Sequence, residues 1–146
     1  MEPVLVADDL APGDRPAAAR DWSDVRVHRV AQPADPDFAL AYERLWRAFG
    51  AAGEMERREV IEARLGWDPA RPVAGAALAY ELLVLRRGGA LAALRDHSAV
   101  VRLGADGRPL PGPVVVHLSH AWVEPPLRGS GLAAWLRALP LQAARR

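Results

Sequence analysis

Apolar and polar residues alternate over Val25-Arg-Val-His-Arg-Val30, the period of a half-buried strand. The period then changes. Phe38, Tyr42, Leu45, Trp46 and Phe49 recur at helical spacing and define one apolar face. Asp35-Pro36 sits just ahead of them. Asp caps free N–H groups, and Pro fits the first helical position, so the helix starts here. Gly50 and Gly53 interrupt it, and Tyr42, Trp46 and Phe49 are expected in the core. A second helix is predicted from about Glu54 to Leu65, with Val60, Ile61 and Leu65 among charges and Gly66 at its end.

Trp67 to Gly75 carries Pro69 and Pro72 and reads as a loop. Leu78 to Leu85 is apolar and strand-like. Arg86-Arg-Gly-Gly89 is a hairpin turn in which the glycines supply positive φ. Strand resumes over Ala90 to Leu94 and again over Ser98 to Leu103. A turn with Pro109, Pro111 and Pro113 leads to the clearest strand, Val114 to Val123. The last helix is predicted from Ser130 to about Gln142, with Pro140 ending or kinking it. The order is β-α-α-β-β-β-α, an α/β (α+β) chain with a mainly antiparallel sheet and flanking helices. Residues 1–24 lack periodicity beyond Val4-Leu5-Val6 and read as a flexible leader; residues 25–146 form the domain.

The segment that carries chemistry is Val123-Glu-Pro-Pro-Leu-Arg128-Gly129-Ser130-Gly131-Leu132-Ala133. A strand, a small-residue turn and a helix in that order make an anion site. The first N–H groups of a helix have no internal partner, and glycines let a ligand approach the backbone.

Composition narrows the chemistry. There is no Cys, which excludes thiolate nucleophiles, disulfides and zinc–thiolate sites. Every basic residue is Arg, so a Schiff base or a P-loop lysine is excluded as well. The scarcity of Ile and Asn fits the coding bias of a GC-rich, bacterial genome. A net charge of +1 gives no general attraction to nucleic acid or membrane. From Val101 onward, however, Arg102, Arg108, Arg128, Arg137, Arg145 and Arg146 face only Asp106 and Glu124, which suits an anionic ligand. No secretory signal and no bilayer-length apolar run are seen, so the cytoplasm is expected. The His and Asp spacing fits no metal motif.

At Arg128-Gly-Ser-Gly131-Leu-Ala133, preceded by Val123-Glu124-Pro125, the chain resembles the GNAT superfamily of acyl-CoA-dependent N-acyltransferases. The similar segment is the family's pyrophosphate-binding motif, Arg/Gln-x-x-Gly-x-Gly/Ala. The resemblance implies a GNAT-like fold over residues 25–146 and acetyl-CoA, or a related acyl-CoA, as co-substrate. It implies that the backbone of Arg128, Gly129, Ser130, Gly131, Leu132 and Ala133 holds the pyrophosphate. It also implies that Ala121, Trp122 and Val123 bond the pantetheine arm. An acetyl group would pass directly to the amine of a small molecule or peptide. The loop from Gly50 to Gly53 is where the family usually admits that acceptor. The alternative is a non-catalytic acyl-CoA-binding or interaction module.

Acyl transfer to an amine needs a base near neutral pKa, and His117, His120 and Glu124 lie beside the expected cleft. Strict strand alternation puts His117 and His120 on opposite faces, so only one can face the thioester. By the same rule Asp96 does not orient its neighbour His97. The family fold normally continues with a strand, a helix that often carries a tyrosine general acid, and a hairpin. The chain ends at Arg146 with Tyr42 and Tyr80 both upstream. It therefore reads as a truncated form, ahead of one completed by a homodimer or another chain, or a degenerate protein.

Overall fold

A computed structural model describes residues 2–145. Arg146 lies outside the described residues. The chain builds one four-stranded sheet in the order β1-β2-β3-β4, with every neighbouring pair antiparallel. The strands are β1 (Val25–Val30), β2 (Ala76–Arg87), β3 (Ala90–Arg102) and β4 (Val115–Val123). Helices α1 (Pro36–Leu45) and α2 (Arg58–Leu65) precede β2; α3 (Leu132–Ala138) and α4 (Pro140–Ala144) follow β4.

The strand alternation sorts two cores onto the two faces. Val30, Leu82, Val84 and Leu94 pack with Phe38, Ala41 and Leu45 of α1 and Ile61 and Leu65 of α2. Val25, Val27, Leu83 and Leu85 pack with Leu132, Trp135, Leu136 and Leu139 on the other side. The run Leu82-Leu-Val-Leu85 is apolar at every position because both of its faces are covered. Gly88 and Gly89 have φ of 56° and 81° and close the β2–β3 hairpin in two residues, a turn that needs positive φ at both positions.

Asp35 starts α1 as expected: its carboxylate accepts from the Asp37 N–H at 2.9 Å, and Pro36 opens the helix. The apolar face drawn through Tyr42, Trp46 and Phe49 holds in part: Tyr42 and Phe49 pack half-buried against the core, and Trp46 leaves it. A π-helical turn, Trp46–Gly50, ends α1 and breaks the 3.6-residue spacing. Trp46 is left 45% exposed and stacks on Tyr42, while Phe38, Ala41 and Leu45 form the buried face. Helix α2 starts at Arg58, later than its charge pattern suggests, because Gly53 takes φ of 71° and Met55 turns inward.

Strand β3 runs through Arg95-Asp-His97 without a break, where the polar triplet had divided it in two. Asp96 and His97 are buried, each with a partner across the sheet. Pro140 divides the last helix, as its ring requires. The segment expected to be a flexible leader packs on α3. Leu10 and Trp22 belong to that core, Arg137 pairs with Asp14 at 2.7 Å, and Arg145 pairs with the buried Asp9.

Candidate functional site

β4 is an edge strand, so one side of its main chain is unpaired within the sheet. The Glu124 N–H turns inward to the Ala92 carbonyl at 2.9 Å. The Val123 carbonyl turns outward and accepts from Arg128 Nε at 3.0 Å. Main-chain groups alternate along a strand, so those of Ala121 also face outward. An open cleft of about 580 Å³ lies here, lined by Ala48, Phe49, Ala121, Trp122, Val123 and Arg128.

The strand also carries a bulge. Asp96 lies opposite His120 and His97 opposite Leu118, which leaves Ser119 as an extra residue. The extra residue resets the alternation. His117, opposite Ser98, and His120, opposite Asp96, therefore share the face toward α2, and the expectation of opposite faces is corrected. Both line a cleft of about 500 Å³ with Glu54, Glu56, Arg64 and Trp67. The Phe49 ring is 5.0 Å from that of His120 and lines the neighbouring cleft.

His120 is the most constrained of these groups. Its Nδ1 lies 2.9 Å from Asp96 Oδ1, and its main-chain N–H donates to the same oxygen at 2.8 Å. Asp96 is fully buried, and the Tyr80 hydroxyl donates to its Oδ2 at 2.6 Å. The Asp96 hydrogen bond raises the pKa of His120, with burial pulling the other way and the Glu54 carbonyl adding to the rise. Burial pushes the Tyr80 phenol far up, and Asp96 adds to it, so the phenol keeps its proton. Asp96 and Tyr80 were not candidates in the sequence. Their link to His120 depends on strand register and on the bulge, which no local spacing reveals. The expectation that Asp96 does not orient His97 holds: His97 points the other way, with Nε2 3.9 Å from Glu81 Oε2.

Glu124 is not brought to the histidines. Its carboxylate accepts from Arg44 Nη1 at 3.0 Å, and Arg44 in turn lies over the Trp122 ring. The glycine turn is formed as predicted, with φ of 80° at Gly129 and 96° at Gly131. Three of its amides are already engaged. Arg128 N donates to Pro125 O, Ser130 N to Leu127 O, and Leu132 N to Ser130 Oγ. Among the described residues, the N–H groups of Gly129, Gly131 and Ala133 make no hydrogen bond. Leu132 puts its side chain in the core. A cleft of about 430 Å³ opens between this turn and the N-terminal segment, lined by Asp14, Arg20 and Arg137 as well as Gly129 to Gly131.

Elsewhere, His28, Asp35 and Asp37 offer ligand atoms within 4.8 Å of one another. Each already has a partner: His28 Nε2 meets Asp35 at 2.6 Å, and Arg86 holds Asp37 at 2.6 Å. Among the described residues, no helix is long and apolar enough to cross a membrane. Comparison of the chain with protein-family models, curated proteins and solved structures finds no match.

Proposed function

We propose that this chain is an acyl-CoA-dependent N-acyltransferase that moves an acetyl group from acetyl-CoA to an amine. The observation that carries the reading is the position of His120. It is backed by a buried carboxylate and stands one residue from Ala121, where the β4 edge turns its main chain outward. An acyl-CoA arm bonding that edge would bring its thioester beside the cleft of His117 and His120. The free amides of Gly129, Gly131 and Ala133 follow in the chain at the point where a pyrophosphate would lie, and Arg20 lines the same cleft, beside an Arg137 already paired with Asp14.

The reaction balances without a covalent enzyme intermediate. The amine nitrogen attacks the thioester carbon, and the C–N bond forms as the C–S bond breaks. The nitrogen gives up one proton, and the departing thiolate gains one. Neutral His120 or His117 would accept the amine proton.

A specific observation favours a second reading, a module that binds acyl-CoA without turning it over. Both His120 nitrogens are engaged, Nδ1 by Asp96 and Nε2 by the Glu54 carbonyl, so the ring has no free lone pair as it stands.

The test separates the two. Calorimetry on the full chain should detect acetyl-CoA binding, and Ser130→Glu should weaken it at least tenfold by setting a charge among the free amides. Ser130 is preferable to Gly131 for this purpose, because a side chain at 131 would strain the backbone by itself. Thiol release with a panel of amines supports the transferase. Binding without release supports the module, and no binding sinks both.

A further inference from the structure

Three donors converge on Asp96: the Tyr80 hydroxyl, the His120 main-chain N–H and the His120 imidazole. Asp96 therefore acts as an acceptor only. The other imidazole nitrogen faces the Glu54 carbonyl oxygen, which also can only accept. Each ring nitrogen must carry a hydrogen to satisfy these contacts, so His120 sits here as an imidazolium. It spans from the floor of the sheet to the segment between the π-helical turn and α2. That segment is also held by other contacts: Glu54 N donates to Phe49 O, the Tyr42 hydroxyl donates to Glu56 O, Arg64 pairs with Glu56, and Met55 is buried in the core.

The charged and titratable groups around the ring come from every element packed on it. Asp96 of β3 and Tyr80 of β2 lie beneath it. Arg64 of α2, Glu54 and Glu56 ahead of α2, and His117 of β4 line the same cleft. Arg64 is paired with Glu56 at 3.1 Å, and Phe49 adds an apolar wall. Among the described residues, Asp96 is the only carboxylate bonded to the ring itself, and Tyr80 holds the other oxygen of Asp96.

We propose that Tyr80 is a positioning residue: by holding Asp96 Oδ2 it presents Oδ1 to His120, which clamps the Glu54 segment over the cleft until the imidazole loses a proton. Loss of that proton leaves one nitrogen without a donor. Asp96 keeps the Nδ1 hydrogen, so Nε2 is the nitrogen that lets go of the Glu54 carbonyl. The same event would free Nε2 as a base and open the cleft beside it. The clamp does not depend on acyl transfer. Its consequence for activity rests on that reading.

NMR titration of the imidazole nitrogens in the full chain tests it, with the His120 signals identified by their loss in His120→Gln. In the wild type, both nitrogens of His120 are protonated at pH 7. Tyr80→Phe releases Asp96 Oδ2, lets the carboxylate turn away from His120, and moves the His120 midpoint downward by roughly one pH unit, the size expected of a hydrogen bond to a charged group. An unprotonated Nε2 at pH 7, or an unmoved or raised midpoint in a folded Tyr80→Phe, overturns the proposal. If that variant does not fold, amide exchange on the wild type decides. Protection of the Glu54 amide, which bonds Phe49 O, should fall as pH rises through the His120 midpoint, and protection independent of pH overturns the clamp. Where thiol release occurs, its acidic limb should move with the midpoint in Tyr80→Phe. Absence of release with every amine, alongside the expected NMR result, would refute acyl transfer and leave the clamp standing.

Discussion

At the scale of single residues, the site is governed by one buried carboxylate. Asp96 has no solvent contact, and its charge is balanced by the His120 imidazolium and two further donors. Breaking a buried pair by removing one partner leaves the other charge uncompensated, which costs several kcal/mol, typically about 3–5. The pH dependence follows with a definite sign. The folded-state pKa of His120 is raised by Asp96 above its unfolded value of about 6.5. The pairing therefore contributes its full stability below about pH 6.5, and that contribution is lost as pH rises through the folded-state value. His28, raised chiefly by Asp35, adds a slope of the same sign, reduced by its 40% exposure. Thermal melts of the wild type should show a midpoint that falls over this window, and His120→Gln should flatten most of the fall. A wild-type midpoint that rises with pH there would contradict the assignment. None of this network could be read from residue order. Asp96 and His120 are 24 positions apart, and the bulge at Ser119 shifts alternation by one, so a strict period-2 rule sends His120 to the wrong face.

At the scale of elements, the strong local signals translated directly and the interrupted ones did not. Asp35-Pro36, the paired glycines of the β2–β3 turn and Pro140 each act through backbone geometry that neighbours cannot override, so each break falls where the chain says, although β2 runs on through Arg86 and Arg87, residues the sequence assigns to the turn. The spacing of Tyr42, Trp46 and Phe49 fails at Trp46 alone, because a π turn is a tertiary choice, made where Phe49 approaches His120 of β4. The glycine turn after β4 belongs to the first group, and it makes a sharp prediction. Gly131 has φ of 96°, and a Cβ there would lie 3.2 Å from the Ala17 Cβ. Gly131→Ala should cost about 1–2 kcal/mol from backbone strain alone. Displacement of the N-terminal segment adds to this. Gly13 provides the control, since it has no positive φ and open space at its Cβ position. Gly13→Ala should be close to neutral. Urea unfolding of the pair measures the difference, and equal midpoints would mean that the turn does not hold Gly131 at positive φ in solution.

At the scale of the whole molecule, the sheet is covered on both faces by elements of different origin. Helices α1 and α2 cover one face. The other is shared by α3, α4 and the first two dozen residues, which carry almost no periodicity of their own. That is why those residues read as a leader. Segments of 3-10 geometry, Ala7–Asp9 and Pro12–Ala19, produce no helical stripe, and Leu10 and Trp22 are too far apart to form a pattern. What anchors them is tertiary. Trp22 Nε1 donates to Ala17 O at 2.8 Å, and Arg137 forms a two-pronged pair with Asp14 at 2.7 and 3.0 Å. The Gln142 amide donates to Val4 O at 2.6 Å. Truncating a large buried aromatic typically costs about 3–5 kcal/mol, a large share of an ordinary domain's stability. Deleting residues 2–22 removes Trp22 together with Leu10, bares the α3 face of Leu132, Trp135 and Leu136, and leaves Arg137 and Arg145 without their acids. The shortened chain should melt well below the full one and bind a hydrophobic dye at neutral pH. A segment that merely trails from the domain would leave both measurements unchanged. Because the same segment borders the glycine turn, Trp22→Ala should also loosen that turn, seen as faster exchange of the Ser130 amide, which bonds Leu127 O, with no matching change at the bonded Gly104 and Gly107 amides between β3 and β4.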